Sequence, residues 1–271
     1  MMKIYTSPTC HYCNRLKTVL KEKNVQFEEI IASENEEEWN NFPHHLPILG
    51  EREGSQEMEI DMGKKHANCL IYYWGSRSMF ENLNLEYPDS YIDSKNNGIM
   101  KLDVNGKCKV SINCPQPYKD KGISYMSHIH ILVSDKKMTK WNKGMYTQNV
   151  LCEINKKNLI HHMQRKDRIV INALSSDYHE KAHIPNSHNL FYKEAKNLSN
   201  SQIHNKIRRM IKDEPQIQKI IKKNKLKITE VPIIVYCYDK HCNAGHQLAN
   251  ELFRAGYTNV IDYLDGTLGY F

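Results

Sequence analysis

Apolar residues recur along this chain at two periods, and toward its carboxyl end the two alternate. Ile233, Ile234, Val235 and Tyr236 follow Pro232 as a short β-rich run and predict a buried strand. After a polar loop, Leu248, Ala249, Leu252, Phe253 and Ala255 recur at helical spacing, and Gly256 closes that helix. RIVINAL, with a strand expected to end at Asn172, and NVIDYL add two more strands. IHNKIRRMI and QIQKIIKKNKLKI read as helices; the second sets Ile217, Ile220 and Ile221 against a lysine face. Strands alternating with helices predict a parallel sheet covered on both faces.

Farther upstream the period shortens. CLIYYW, GIMKLD, KCKVSINC and HIHILVS are strand candidates separated by turn-rich pieces, a texture that predicts a β-sandwich. Asn105 and Gly106 predict a hairpin turn between GIMKLD and KCKVSINC. At the amino end, a strand at 3–6, a helix at 13–23 with Leu16, Val19 and Leu20 on one face, and a strand at 25–31 predict a β-α-β unit. The acidic run 34–38 opens a further helix. The fold class is therefore multidomain α/β and β, with expected modules at 1–60, 65–154 and 162–271. The polar stretch INKKNLIHHMQRKD links the last two. Its adjacent His161 and His162 diverge by about 100° on a helix and read as solvated rather than as paired ligands.

Composition narrows the classes. The chain has 271 residues, 40% hydrophobic and 25% charged, as a soluble globular protein has. No apolar run approaches the roughly 18 residues of a membrane-spanning helix. MMKIYTSPTCHYC lacks the apolar centre of a secretory signal, so a cytoplasmic protein without membrane partners is expected. The net charge of +7 comes largely from lysines, notably at 206–227. Without interleaved aromatic platforms these read as a solvated face, not a nucleic-acid surface. Eight cysteines include two close pairs, Cys10 with Cys13 and Cys237 with Cys242. That spacing points to catalytic or metal-binding thiols in a reducing compartment rather than to a disulfide scaffold.

Cys237 is the leading candidate for chemistry. It follows the strand 233–236 and precedes the loop YDKHCNAG and a helix, where a negative charge gains roughly 0.3–1 kcal/mol from the helix terminus. Because the thiolate is the nucleophile, such a site is expected to lower the thiol pKa from about 8.5 toward neutrality. The competing reading is a buried structural cysteine. Cys10, before a helix, and Cys13, one turn inside it, suit a nucleophile and a resolving thiol, although a CxxC pair also suits zinc. His128 and His130 lie on one face of a strand, opposite Ile129, Ile131 and Val133. With Tyr118 or Tyr125 they make a candidate metal face, iron or zinc, against the alternative of a polar strand surface.

IYTSPTCHYCNRLKTVL resembles the start of a glutaredoxin, an oxidoreductase of the thioredoxin fold. The resemblance implies Cys10 as nucleophile, Cys13 as resolving thiol, Pro47 as the cis-proline facing them, and Tyr12 within the thiol-substrate contact. GEREGSQEMEIDMGKK departs from the family by lacking its Gly-Gly pair. The HxH run with CPQPY upstream resembles the sandwich of intradiol ring-cleavage dioxygenases, which hold non-haem iron, but lacks their preceding arginine and proline.

Residues from about 165 to 271 resemble a rhodanese-like sulfurtransferase domain. The carrying pieces are IVINAL, HIPNSHNL, IIVYCYDKHCNAGHQLANELFRAGYTNV and LDGTLGYF. The likeness implies that Cys237 takes up sulfane sulfur as a persulfide. The backbone N–H groups of Tyr238, Asp239, Lys240, His241, Cys242 and Asn243 would then cradle the outer sulfur. In this chain the strand-end aspartate is Asn172, the arginine two residues on is Leu174, and the final tryptophan is Tyr270 or Phe271. The loop reads about two residues longer than the usual six, and Lys240, His241 and His246 stand where positive charge is otherwise missing.

The expectation is a sulfurtransferase and thiol-disulfide oxidoreductase in which Cys237 carries sulfur, Cys242 resolves, and Cys10 with Cys13 supplies a redox-active dithiol. Partners would be thiosulfate or persulfides and low-molecular-weight or protein thiols. Glutathione would serve as co-substrate, and no cofactor is required. The rival reading is an inactive metal-binding or scaffold protein built on the same folds.

Overall fold

The computed structural model describes residues 2–6, 17–18, 21–22, 26–31, 56–78, 83, 85–87, 89–91, 94, 96–138 and 141–271. Cys10, Tyr12, Cys13 and Pro47 lie outside the described residues. At the amino end β1 (Met2–Thr6) pairs in parallel with β2 (Phe27–Ile31), the register a β-α-β crossover produces.

The middle of the chain is β-rich. Its strands are β3 (Gln56–Asp61), β4 (Leu70–Gly75), β5 (Asn97–Lys101), β6 (Lys107–Ile112), β7 (Tyr118–Asp120), β8 (Ile123–Tyr125), β9 (His128–Ser134) and β10 (Trp141–Asn149). β4 is flanked by antiparallel β5 and β9, with β10 beyond β9. Alternation sends Ile71 and Tyr73 of β4 and Ile129, Ile131 and Val133 of β9 inward.

The turn at Asn105 and Gly106 forms, with Gly106 N–H donating to Asp103 O at 3.1 Å. The strands it joins do not make a hairpin, as the sequence suggested. β5 pairs with β4, while β6 pairs antiparallel with β3. Gly106, at φ +83°, packs directly on the backbone of Gly63, where any Cβ would overlap. That close approach, with Met62 N–H donating to Gly106 O at 2.9 Å, fastens β6 to β3.

The carboxyl half is the alternating unit the periodicity predicted. Its elements are β11 (Cys152–Ile154), α1 (Lys156–Arg165), β12 (Ile169–Asn172), α2 (Ser176–Lys181), β13 (His188–Asn189), α3 (Tyr192–Asn197), α4 (Asn200–Lys212), α5 (Pro215–Asn224), β14 (Ile233–Tyr236), α6 (Ala244–Arg254), β15 (Val260–Tyr263) and α7 (Gly266–Tyr270). Five strands run parallel in the order β11-β15-β14-β12-β13. Every residue of β12, β14 and β15 is buried, as strands covered on both faces are. Leu248, Ala249 and Leu252 of α6, Ile203, Ile207 and Met210 of α4, and Ile217 of α5 share one core with Ile169, Ile171, Ile233 and Val235. α4 starts on a capping box between Ser199 and Gln202. The sheet also takes in β11, which the sequence pattern had left with the middle strands.

A Cys114–Cys152 disulfide ties the start of β11 to the segment ahead of β7. The short β7–β8 pair is held by Glu230. Its carboxylate takes the Lys119 ammonium at 2.8 Å and the Ser124 hydroxyl at 2.6 Å.

Candidate active site

The central position of β14 decides where Cys237 stands. In a parallel sheet the strand ends open a crevice on one side, and Cys237 is the first residue past β14 at that end. Its carbonyl is clamped by Thr267, whose N–H donates at 3.0 Å and whose hydroxyl donates at 3.3 Å. Leu268 N–H donates to Tyr238 O at 2.9 Å. Gly266, at φ +62°, leaves no side chain between α7 and the Tyr238 backbone, where a Cβ would come within 2.5 Å. The closing segment thus fixes the first two residues of the loop.

Within the loop, Asp239 does what the sequence did not foresee. Its Oδ1 accepts the N–H groups of His241 at 2.9 Å and Cys242 at 3.0 Å. Two of the amides expected to cradle an outer sulfur are therefore held by a carboxylate of the loop itself. The helix adds an anion contact, since the Gly245 N–H is directed at the Cys237 sulfur and favours its thiolate. Lys240, His241, Asn243 and His246 are exposed, Tyr238 is 44% exposed, and Cys242 is half-buried.

Cys237 itself is only 3% exposed, and its Sγ donates to Cys242 O at 2.8 Å. Burial, followed by the Cys242 thiol, pushes its pKa up to about 12. The expected lowering toward neutrality is corrected: removal from water and a neighbouring thiol outweigh the single helix amide. The loop length is corrected too. Asn243 is the N-cap of α6, so the six residues 237–242 precede the cap.

Behind the loop stands Asp262, which sequence reading passed over. It is 3% exposed in β15, and its Oδ1 lies 2.7 Å from where a Cβ on Gly245 would stand. Burial, and secondarily the charge of Glu153, raise its pKa to about 7. The only hint in the sequence was an aspartate inside the otherwise apolar run VIDY.

Asn172 ends β12 and its side-chain oxygen accepts Leu174 N–H at 2.8 Å, a turn-forming role. His183 and Ile184 belong to the turn after α2. Tyr236 Oη anchors that turn, accepting Ile184 N–H at 3.0 Å and meeting Ser187 Oγ at 2.6 Å.

The histidine face is spoken for by hydrogen bonds. His128 Nδ1 meets Met126 O at 2.7 Å and its Nε2 meets Tyr118 Oη at 3.2 Å. His130 Nε2 meets Tyr91 Oη at 3.0 Å, and its Nδ1 meets Thr147 Oγ1 at 3.3 Å. Burial lowers the His128 pKa, as for a neutral core imidazole. Among the described residues no three His, Cys, Asp or Glu side chains gather as a metal set.

A strand-end cysteine, a six-residue loop and a helix aiming an amide at sulfur coincide with a family match. The rhodanese-like domain family matches residues 155–270, and the glutaredoxin family matches residues 2–44. Residues 155–270 form a rhodanese-like domain. The glutaredoxin domain precedes the β-rich middle, and the rhodanese-like domain closes the chain.

Among solved structures, a protein from Bacillus halodurans is 16% identical, with a TM-score of 0.32 over 44% of this chain and 70% of its own. A rhodanese-related protein from Thermoplasma volcanium is 16% identical, with a TM-score of 0.29 over 44% and 89%. A single-domain sulfurtransferase from Saccharomyces cerevisiae is 11% identical, with a TM-score of 0.33 over 46% and 92%. No curated protein matches the chain. Among the described residues no helix is long and apolar enough to cross a membrane.

Proposed function

We propose that the chain is a sulfurtransferase coupled to a thiol-disulfide oxidoreductase. The observation that carries this reading is the placement of Cys237 at the carboxyl end of the central strand β14, its Sγ 2.8 Å from the main-chain oxygen of Cys242, within the residues that match the rhodanese-like family. Cys237 thiolate attacks the outer sulfur of thiosulfate, forming the Cys237 persulfide and releasing sulfite. An acceptor thiolate then takes the outer sulfur, leaving as its own persulfide and restoring Cys237. Alternatively Cys242 attacks the inner sulfur, expels hydrosulfide and forms a Cys237–Cys242 disulfide.

That disulfide requires a dithiol reductant. Cys10 and Cys13 of the glutaredoxin domain fill this role chemically, becoming a disulfide that two equivalents of a glutathione-class thiol reduce. The chemistry needs no metal. Substrate contact falls to Tyr238, Asp239, Lys240, His241 and Asn243, with Tyr12 and Pro47 around the second thiol site.

The test is thiosulfate turnover with cyanide or a dithiol as acceptor. Cys237→Ser is expected to abolish both, and Cys10→Ser to slow only the turnover that depends on glutathione. Full turnover by Cys237→Ser sinks the proposal.

A further inference from the structure

The Cys237 thiol must lose a proton before its sulfur can attack, and the loop gives that proton nowhere to go. The Sγ points at a carbonyl, and the neighbouring thiol is a poor acceptor. Beyond the first turn of α6 lies Asp262. Asp262 and Val235 are register partners on β15 and β14, so they share the sheet face on which Val235 and Cys237 pack. Gly245 separates the carboxylate from the sulfur: its N–H serves Cys237, and its missing Cβ makes room for Asp262 Oδ1.

The next strand adds a second carboxyl. Glu153 on β11 is the register partner of Asp262, so the two acids stand side by side, Asp262 buried and Glu153 exposed. The groups that face Asp262 are thus Glu153 from β11, the backbone of Gly245 from α6 and, across that glycine, Cys237 from the end of β14, whose thiolate the Asp262 charge opposes.

We propose that Asp262 is the proton acceptor for the Cys237 thiol, with the Glu153 carboxyl linking it to solvent. This rests on the reading of Cys237 as the sulfur carrier. The physical reason is conservation of charge in a dry site. Ionising Cys237 beside an ionised Asp262 places two anions together out of water. Passing the proton from Sγ to the carboxylate keeps one negative charge throughout: thiol and carboxylate become thiolate and carboxylic acid. The thiolate then forms the new sulfur–sulfur bond as sulfite leaves with the electron pair of the broken one. The proton returns when the acceptor thiol takes the sulfur. A carboxyl raised to about 7 is a stronger base than an ordinary aspartate and is still ionised in part at neutral pH.

The experiment is iodoacetamide labelling of the full chain against pH, read peptide by peptide. Trypsin cuts after Lys240 and so separates Cys237 from Cys242. Wild-type Cys237 labelling is expected to rise through an inflection near the Asp262 pKa. Asp262→Asn is expected to remove that inflection and slow labelling at neutral pH by roughly a hundredfold, the scale of a lost general base. Glu153→Gln, at an exposed position, is expected to move the inflection down, because it removes the like charge. An unchanged Asp262→Asn profile overturns the proposal. So does faster labelling, which would mean that the carboxylate only suppresses the thiolate. If Asp262→Asn fails to fold, an unmoved inflection in Glu153→Gln overturns it equally. Labelling needs no sulfur donor. An inflection that persists in Asp262→Asn, with wild-type thiosulfate turnover intact, overturns the Asp262 proposal alone, whereas an Asp262-dependent inflection in a wild-type chain without thiosulfate turnover overturns the sulfur-carrier reading.

Discussion

The sulfur of Cys237 lies 2.8 Å from the main-chain oxygen of Cys242, and the Cys242 thiol touches it as well. One residue thus holds the proton on Cys237 twice over, through its carbonyl and through its side chain.

Replacing Cys242 with alanine leaves the carbonyl and removes the thiol. The Cys237 pKa is expected to fall from its value of about 12, because the second cause of its elevation is gone. Thiolate absorbance followed across alkaline pH in Cys242→Ala checks this, and an unchanged or higher midpoint contradicts it.

Gly245→Ala places a methyl group 2.7 Å from Asp262 Oδ1 and 3.4 Å from the Tyr236 backbone. Overpacking of this kind costs roughly 1–3 kcal/mol. Shortening the obstacle in Gly245→Ala with Asp262→Ala is expected to recover much of that loss, and a double-mutant cycle in urea measures the recovery. Strict additivity would mean that the two residues do not meet.

Asp262 also ties stability to pH. Its pKa rises from 3.8 to about 7 on folding, so the folded chain binds this proton more tightly than the unfolded one. The favourable contribution is complete below the unfolded pKa and is lost as pH rises through the folded one. Between those values the slope from this group is at most about 1.4 kcal/mol per pH unit. Asp262→Asn, which cannot ionise, is therefore expected to gain on the wild type as pH rises from 4 to 8 by about that slope. Melting temperatures of the two proteins across this range decide it.

The Cys114–Cys152 disulfide closes a separation of 38 residues between buried positions. Constraint of the unfolded chain over such a loop is worth roughly 4 kcal/mol. Reduction, or Cys114→Ala with Cys152→Ala, is expected to lower the urea midpoint accordingly. A midpoint unmoved by reduction would show the bond contributes nothing.

The elements were legible because their causes are local. The period of Leu248, Ala249 and Leu252 makes α6 wherever it packs, and four apolar residues from Ile233 make a strand. The position of Cys237 at a strand end followed from the same pattern. The pairing of β6 with β3 was not legible, because it depends on Gly106 meeting Gly63 across 43 residues of chain. Nor was the disulfide, since Cys114 and Cys152 have no telling spacing.

What the sequence alone determined is the order of strands and helices and which cysteine ends the central strand, since periodicity and turn chemistry act between near neighbours. What only the tertiary structure decided is the state of that cysteine. Burial, the Cys242 thiol, the Asp239 carboxylate on the loop amides, and Asp262 beside Glu153 come together through strand pairing, and removal from water sets their charges.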